Sequence, residues 1–301
     1  MTLPYQQEFE LYHYGESVCS QMVRIALSEK EIPYKSHHMH LESTGEHLTA
    51  DYKKINPLCL VPVLLHHGNP IYHTWEIIKY LDHYAPGQGV RLLPDDAARR
   101  AQVDAYMADS ELNQNIGLGE NFGTSCAGVS IPILVQKLRT RPLWAIIWDY
   151  LTKHPIKERK FLFVMLRIFG WVPGRLYKTC IKRVALGLAT IESALEDEKD
   201  YLFGDYSGAD VMMTAHFHRL EDVALGEILR ANDLPNISAY WQRLKQRPSY
   251  QTAIIDWHKS DWRNAMSVIY QDEPNPYAGL LNAEVKTNHI NKSLKREKTC
   301  E

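Results

Sequence analysis

The stretch that decides the fold runs from Phe9 to Leu27, FELYHYGESVCSQMVRIAL. FELYHY reads as a short strand, and from Val18 the apolar residues Met22, Val23, Ile25 and Ala26 take up helical spacing. Ser17, Cys19 and Ser20 therefore stand where a strand turns into a helix. Backbone N–H groups at a helix start lack an intrahelical partner, and the helix dipole is positive there. A hydroxyl or thiol at that address either caps the helix or handles an anion, its own thiolate included. Taken alone, the stretch leaves both readings open: a thiol-handling turn, or a capping serine with Cys19 as a small buried filler.

Working outward, the first 85 or so residues continue to alternate. PYKSHHMHL predicts a strand, and LTADYKKINP a short helix stopped at Pro57. LVPVLLHHGNPIYH predicts two strands joined at HHGN, and TWEIIKYLDHYA an amphipathic helix ended by Pro86 and Gly87. Pro62 sits inside the first of those strands, where a missing N–H is out of place. A cis Val61–Pro62 bond facing an extended ligand and an edge-strand proline are the two solutions. After about residue 95 the strand signals stop and helical periodicity takes over, with the change of character near PGQGVRLLPDD. The sequence thus divides into an α/β part over 1–88, an all-helical part over 95–270 with an aromatic-rich insertion, and a polar tail over 271–301 that lacks apolar periodicity.

The bulk numbers exclude several function classes. A net charge of -2 speaks against a nucleic-acid binder. The five cysteines are scattered without CxxC spacing, which argues against a disulfide framework or structural zinc and for a reducing cytoplasm. No apolar run is long enough to span a bilayer. His37, His38 and His40, with His66 and His67, lack the neighbouring Cys, Asp or Glu of a metal set, so solvated strand faces are expected and no metal site.

In combination, the SVCS turn, the INPLCLVPVL run and the TWEIIKYLD helix resemble the glutathione transferase superfamily, as do YSGADVMMTAHFHRLE and YWQRLKQRPS further on. The nearest resemblance is to serine/cysteine-type bacterial members such as the tetrachlorohydroquinone reductive dehalogenases. The resemblance implies an α/β thioredoxin-like N-terminal domain that binds glutathione, an all-α helical C-terminal domain that binds a small hydrophobic electrophile, and a cytoplasmic homodimer. It places Ser17 as the hydroxyl that activates the glutathione thiol, and Cys19 as the cysteine that the dehalogenase branch uses against a glutathionyl intermediate. His47 matches a residue near the glycine carboxylate. Val61 and Pro62 match the backbone pairing and cis-proline positions, and Thr74 the γ-glutamyl carboxylate contact. His73 stands where most members carry glutamate or glutamine, and Cys59 and Leu60 replace polar residues. Ser207 and Asp210 match a structural capping box at the start of a long helix.

Three functions stay in view: conjugation by glutathione, reductive or thiol-transfer chemistry through Cys19, and a non-catalytic interaction module on the same fold. Trp144, Trp148, Phe161, Phe163, Phe169 and Trp171 mark the insertion. Helix packing or a dimer face is the first expectation for them, and a lined pocket the second. Peripheral membrane contact, suggested by KERKFLFVMLRIFGW, is not favoured.

Overall fold

The computed structural model of the protein describes residues 2–112, 115–170, 173–196, 199–271 and 273–297; Trp171 and Cys300 lie outside them. The strands are β1 (Phe9–His13), β2 (Lys35–His38), β3 (Val63–His66) and β4 (Asn69–Ile71). Interleaved with them are α1 (Val18–Glu29), α2 (Ala50–Ile55) and α3 (Thr74–Tyr84). Then come α4 (Ala97–Ser110), α5 (Phe122–Val129), α6 (Ile131–Arg139), α7 (Leu143–Trp148), α8 (Lys157–Phe169), α9 (Gly174–Ala194) and α10 (Gly208–Asp222). The last are α11 (Pro235–Gln246), α12 (Pro248–Ala253), α13 (Ser260–Tyr270) and α14 (Ala278–Glu297).

The chain forms two compact units, each discontinuous in sequence. One comprises residues 1–92, 131–172 and 249–269. Its sheet has the order β2-β1-β3-β4, with β1 parallel to β2 and antiparallel to β3, and β3 antiparallel to β4. The strand–helix order through residue 84 is the one read from the sequence. Leu11 and Leu64 face each other in the central pair, and both are sealed from solvent. Met22, Val23 and Ile25 of α1 and Ile77, Ile78 and Leu81 of α3 are sealed likewise, and the two helices pack together. Their C-terminal ends are joined by a buried ion pair, Lys30 Nζ to Asp82 Oδ1 at 3.1 Å, and the same oxygen accepts the Leu92 N–H. The second segment of this unit, the insertion over 131–172, is three helices with one π-helical turn, Asp149–Lys153, following α7.

The other unit comprises residues 93–130, 173–248 and 270–301 and is built on helix pairs: α5 and α14 on α9, and α4 on α10. Ser207 and Asp210 form a capping box at the start of α10. The Asp210 carboxylate also accepts from the Leu202 N–H and the Tyr240 hydroxyl, so it ties three segments together. The tail, read as lacking apolar periodicity, carries α14: Leu281 and Val285, four apart, are enough to bury one stripe of an otherwise polar helix.

Two local readings are refined. Pro62 lies one residue before β3 rather than inside it, which spares the ladder a missing donor, and the Val61–Pro62 bond is cis. The helix beginning at Ala97 ends at Ser110, shorter than its sequence periodicity.

Candidate functional site

The turn between β1 and α1 is held from several sides. Ser17 is the N-cap of α1, and its side-chain oxygen accepts the Ser20 N–H at 3.3 Å. That bond uses a lone pair and leaves the Ser17 hydroxyl proton available to a second partner. Ser20 Oγ likewise accepts the Tyr14 N–H, but Ser20 is sealed from solvent, so of the two serines Ser17 alone stays half-exposed. Cys19, in the first turn of α1, is 8 % exposed.

Arg24 grips the same turn from below. Wholly buried, it donates to the Tyr14 carbonyl (3.2 Å), the Gly15 carbonyl (2.6 Å) and, from Nε, the Ala253 carbonyl (2.7 Å). Its fourth contact is His13 Nδ1 at 3.0 Å. Burial and the Arg24 charge push the His13 pKa down to about 2, so the imidazole is neutral and accepts from Arg24. His38 adds a contact from β2: its Nε2 takes the Gly15 N–H at 3.2 Å, and its ring stacks on Trp257. His38 is therefore no solvated strand residue. A Cβ at Gly15 would lie 2.8 Å from the Trp257 carbonyl oxygen, so only glycine fits this approach. Arg24, His38 and Trp257 were not singled out in the sequence as site residues. The one local signal was a cation inside the apolar run MVRIAL.

The loop before β3 is built by Asn56, whose Oδ1 accepts the Leu58 N–H and whose Nδ2 donates to the Leu60 carbonyl. The Tyr52 hydroxyl donates to the same carbonyl at 2.6 Å. Val61 and the cis bond follow directly. Thr74, buried, opens α3, while exposed His73 precedes it with φ +64°, a conformation rare for a residue with a side chain. Unpaired N–H groups at that helix start suit a carboxylate.

His47 sits elsewhere than on an open rim. It lies on a short 3-10 helix, Glu46–Leu48, is buried, and faces Tyr150 and His154 of the insertion with ring centroids 6.2 and 6.5 Å away. Burial first, and then its neighbours His154, Arg159 and Arg141, lower its pKa to about 3, so it is neutral, and its Nδ1 has no hydrogen-bond partner among the described residues. Gly45, at φ +75°, lets Arg141 and Asp149 approach this turn; a Cβ there would be 2.7 Å from Arg141 Nη1. Half-buried Arg159 of α8, its pKa lowered by burial, interacts electrostatically with Tyr150, Cys19 and Glu42. The insertion thus brings positive charge toward the thiol turn.

Of the remaining histidines, His37 Nε2 is 2.6 Å from Glu10, and His216 Nε2 meets the Ser110 carbonyl. Glu8, His66 and His67 bring ligand atoms within 4.8 Å of one another, but Glu8 also accepts from the Tyr84 hydroxyl and His66 from or to Tyr80. A depression of about 510 Å³ opens along α1, lined by Arg24, Leu27, Ser28, Glu31, Thr252 and Ala253 among others; it shares Arg24 with the thiol turn but holds none of Ser17, Cys19 and Ser20.

The class defined by this arrangement is a thioredoxin-like α/β sheet, with its strand-to-helix turn and cis-proline loop, joined to a helical C-terminal region. Comparison with known proteins shows what the chain resembles. Residues 16–84 match the profile of the glutathione S-transferase N-terminal domain. The chain is 26% identical over 272 residues to glutathione S-transferase TCHQD of Arabidopsis thaliana, covering 86% of this chain and 94% of that one. It is 23% identical to the tetrachloro-p-hydroquinone reductive dehalogenase of Sphingobium chlorophenolicum, covering 82% and 96%. Among solved structures, the beta-etherase LigF of Sphingobium sp. strain SYK-6 shares the fold with a TM-score of 0.72 at 22% identity, over 82% of this chain and 98% of that one. The resemblance to the glutathione transferase superfamily holds, and the chain carries that family's N-terminal domain.

Proposed function

We propose that the protein is a glutathione transferase that joins glutathione to a small hydrophobic electrophile. The observation that carries this reading is the state of Ser17: its oxygen is engaged as a cap while its hydroxyl proton remains free to donate to a sulfur at the half-exposed turn. A hydrogen bond to the thiolate lowers the thiol's pKa and supplies nucleophile near neutral pH. Val61 offers backbone groups to the cysteinyl part of glutathione, and Thr74 with the α3 N-terminus takes the γ-glutamyl carboxylate. His73 and His47 complete the binding set, His47 as a neutral donor. Catalysis then consists of stabilising the thiolate and holding both reactants in line.

A second reading is favoured by Cys19, two residues past Ser17, and by the likeness to a reductive dehalogenase. In that sequence glutathione displaces a leaving group from the substrate. The Cys19 thiolate then attacks the glutathionyl sulfur, the C–S bond breaks toward carbon, and the carbanion takes a proton. A second glutathione thiolate resolves the Cys19–glutathione disulfide and leaves as oxidised glutathione, so two thiols are oxidised for each substrate reduced. A non-catalytic interaction module is the third reading, motivated by His73 and Leu60. Detoxification in the cytoplasm, as a homodimer, is the setting proposed.

Titration of the whole protein with glutathione in a calorimeter tests the reading. Binding at millimolar concentration or tighter supports an enzyme; no heat at any concentration favours the module.

A further inference from the structure

The hairpin of α7 and α8 carries on one side a set of exposed apolar side chains. Trp144, Trp148 and Leu151 follow at i, i+4 and i+7 along α7 and the π-helical turn after it. Phe161, Met165 and Ile168 repeat that spacing on α8, with Phe169 beside them. Trp144 is 72% exposed, Phe161 66% and Trp148 61%. The opposite sides, Ile146 and Tyr150 on one element and Phe163, Val164 and Leu166 on the other, are buried within the unit. Of the twelve large hydrophobic side chains exposed among the described residues, eight fall between Leu143 and Phe169. Single exposed apolar residues are ordinary; two stripes on packed neighbouring helices mark a docking surface.

Charge selects the occupant. Residues 131–172 hold eight lysines and arginines against Asp149 and Glu158, a net of +6 within a chain of net -2, so the remainder carries -8. Arg139, Lys153 and Lys157 are exposed around the stripes. A second copy of this surface would set the exposed cations Arg139 and Lys157 against their own like. Tryptophan and phenylalanine rimmed by lysine and arginine suit the boundary between anionic headgroups and acyl chains. At 13 residues α8 is too short to cross a bilayer, and none of the described helices is long and apolar enough to do so.

We propose that the hairpin over 143–169 docks the protein on an anionic lipid surface. Trp144, Trp148, Phe161 and Met165 enter the headgroup–acyl boundary, and Lys153, Lys157 and Lys160 lie against the headgroups.

Vesicle flotation of the full chain tests this without reference to catalysis, using phosphatidylcholine alone and phosphatidylcholine mixed with phosphatidylserine. The protein should float with the mixed vesicles only, detach as salt is raised, and lose tryptophan fluorescence to lipids brominated on the acyl chain. Trp144→Ser with Phe161→Ser should weaken partition by about tenfold or more, and Lys157→Glu with Lys160→Glu by about a hundredfold. Trp144, Phe161 and Lys157 are exposed and Lys160 is half-buried, with Nζ on the Leu151 carbonyl; unchanged circular-dichroism melting of each variant certifies its fold. Absence of the wild-type protein from the floated fraction overturns the proposal, as does equal binding by all variants or equal binding to uncharged vesicles. A drop from dimer to monomer in the Trp144→Ser, Phe161→Ser variant, with no vesicle binding by the wild type, would assign the face to a second copy.

Discussion

Ser17 and Cys19 separate the proposed chemistries because each takes a different part in them. If conjugation is the activity, Ser17→Ala removes a hydrogen bond to a charged sulfur, a loss of about 1.5–3 kcal/mol or roughly ten- to a hundredfold in rate. Cys19→Ser is then nearly silent with aryl or alkyl halides. If the reductive sequence operates, Cys19→Ser stops release of reduced product and the glutathionyl conjugate accumulates, which mass spectrometry of the reaction mixture detects. Full activity of both variants toward every electrophile tried would leave neither enzyme reading standing. The histidines make a further residue-scale prediction. Burial first, and then neighbouring positive charge, lowers the pKa of His38 to about 4, of His47 to about 3 and of His154 to about 4. Unfolded histidines bind protons from about pH 6.5 downward, whereas these do so only near 3 to 4. The unfolded state therefore binds more protons in that window, and stability falls as pH drops from about 6.5 toward 4. Scanning calorimetry should show the melting temperature falling between pH 7 and 5; a flat or rising trend contradicts the buried neutral state.

At the scale of elements, α1 and α3 carry the proposed sulfur and carboxylate contacts at their N-terminal ends, and Lys30–Asp82 locks their C-terminal ends together. Lys30→Met removes the buried cation that neutralises the Asp82 carboxylate and should cost about 3–5 kcal/mol in urea unfolding. The double variant Lys30→Met, Asp82→Leu should recover much of that, because an apolar pair of similar volume needs no desolvation. If the double variant proved as unstable as the single one, the pair would be serving geometry rather than charge neutralisation. The elements themselves were legible from periodicity and punctuation: α1 starts after Ser17, α2 ends before Pro57, and the HHGN turn joins β3 to β4. Helix ends in the insertion were less so. One apolar segment, PLWAIIWDYL, became an α-helix running into a π-helical turn, a change of hydrogen-bond pattern that side-chain spacing does not encode.

For the whole molecule, light scattering at micromolar concentration should give about twice the 34.8 kDa chain mass if the homodimer proposed from the family is formed. A monomer at all concentrations would remove it. What the sequence by itself determined is local: the order of strands and helices to residue 84, the Ser17 cap, and the capping box of Ser207 and Asp210. Each depends on neighbours a few residues away, so spacing and residue type suffice. Tertiary structure alone decided which distant groups meet. Arg24 reaches the Ala253 carbonyl across 229 residues, and so helps hold the turn that presents Ser17. His47 is turned neutral because Tyr150 and His154, a hundred positions further on, close over it. The aromatic stripes of α7 and α8 were visible as composition, but their exposure was not. A helix apolar on every side reads the same whether its second face is buried or bare, because periodicity records which residues share a face and packing decides what covers it.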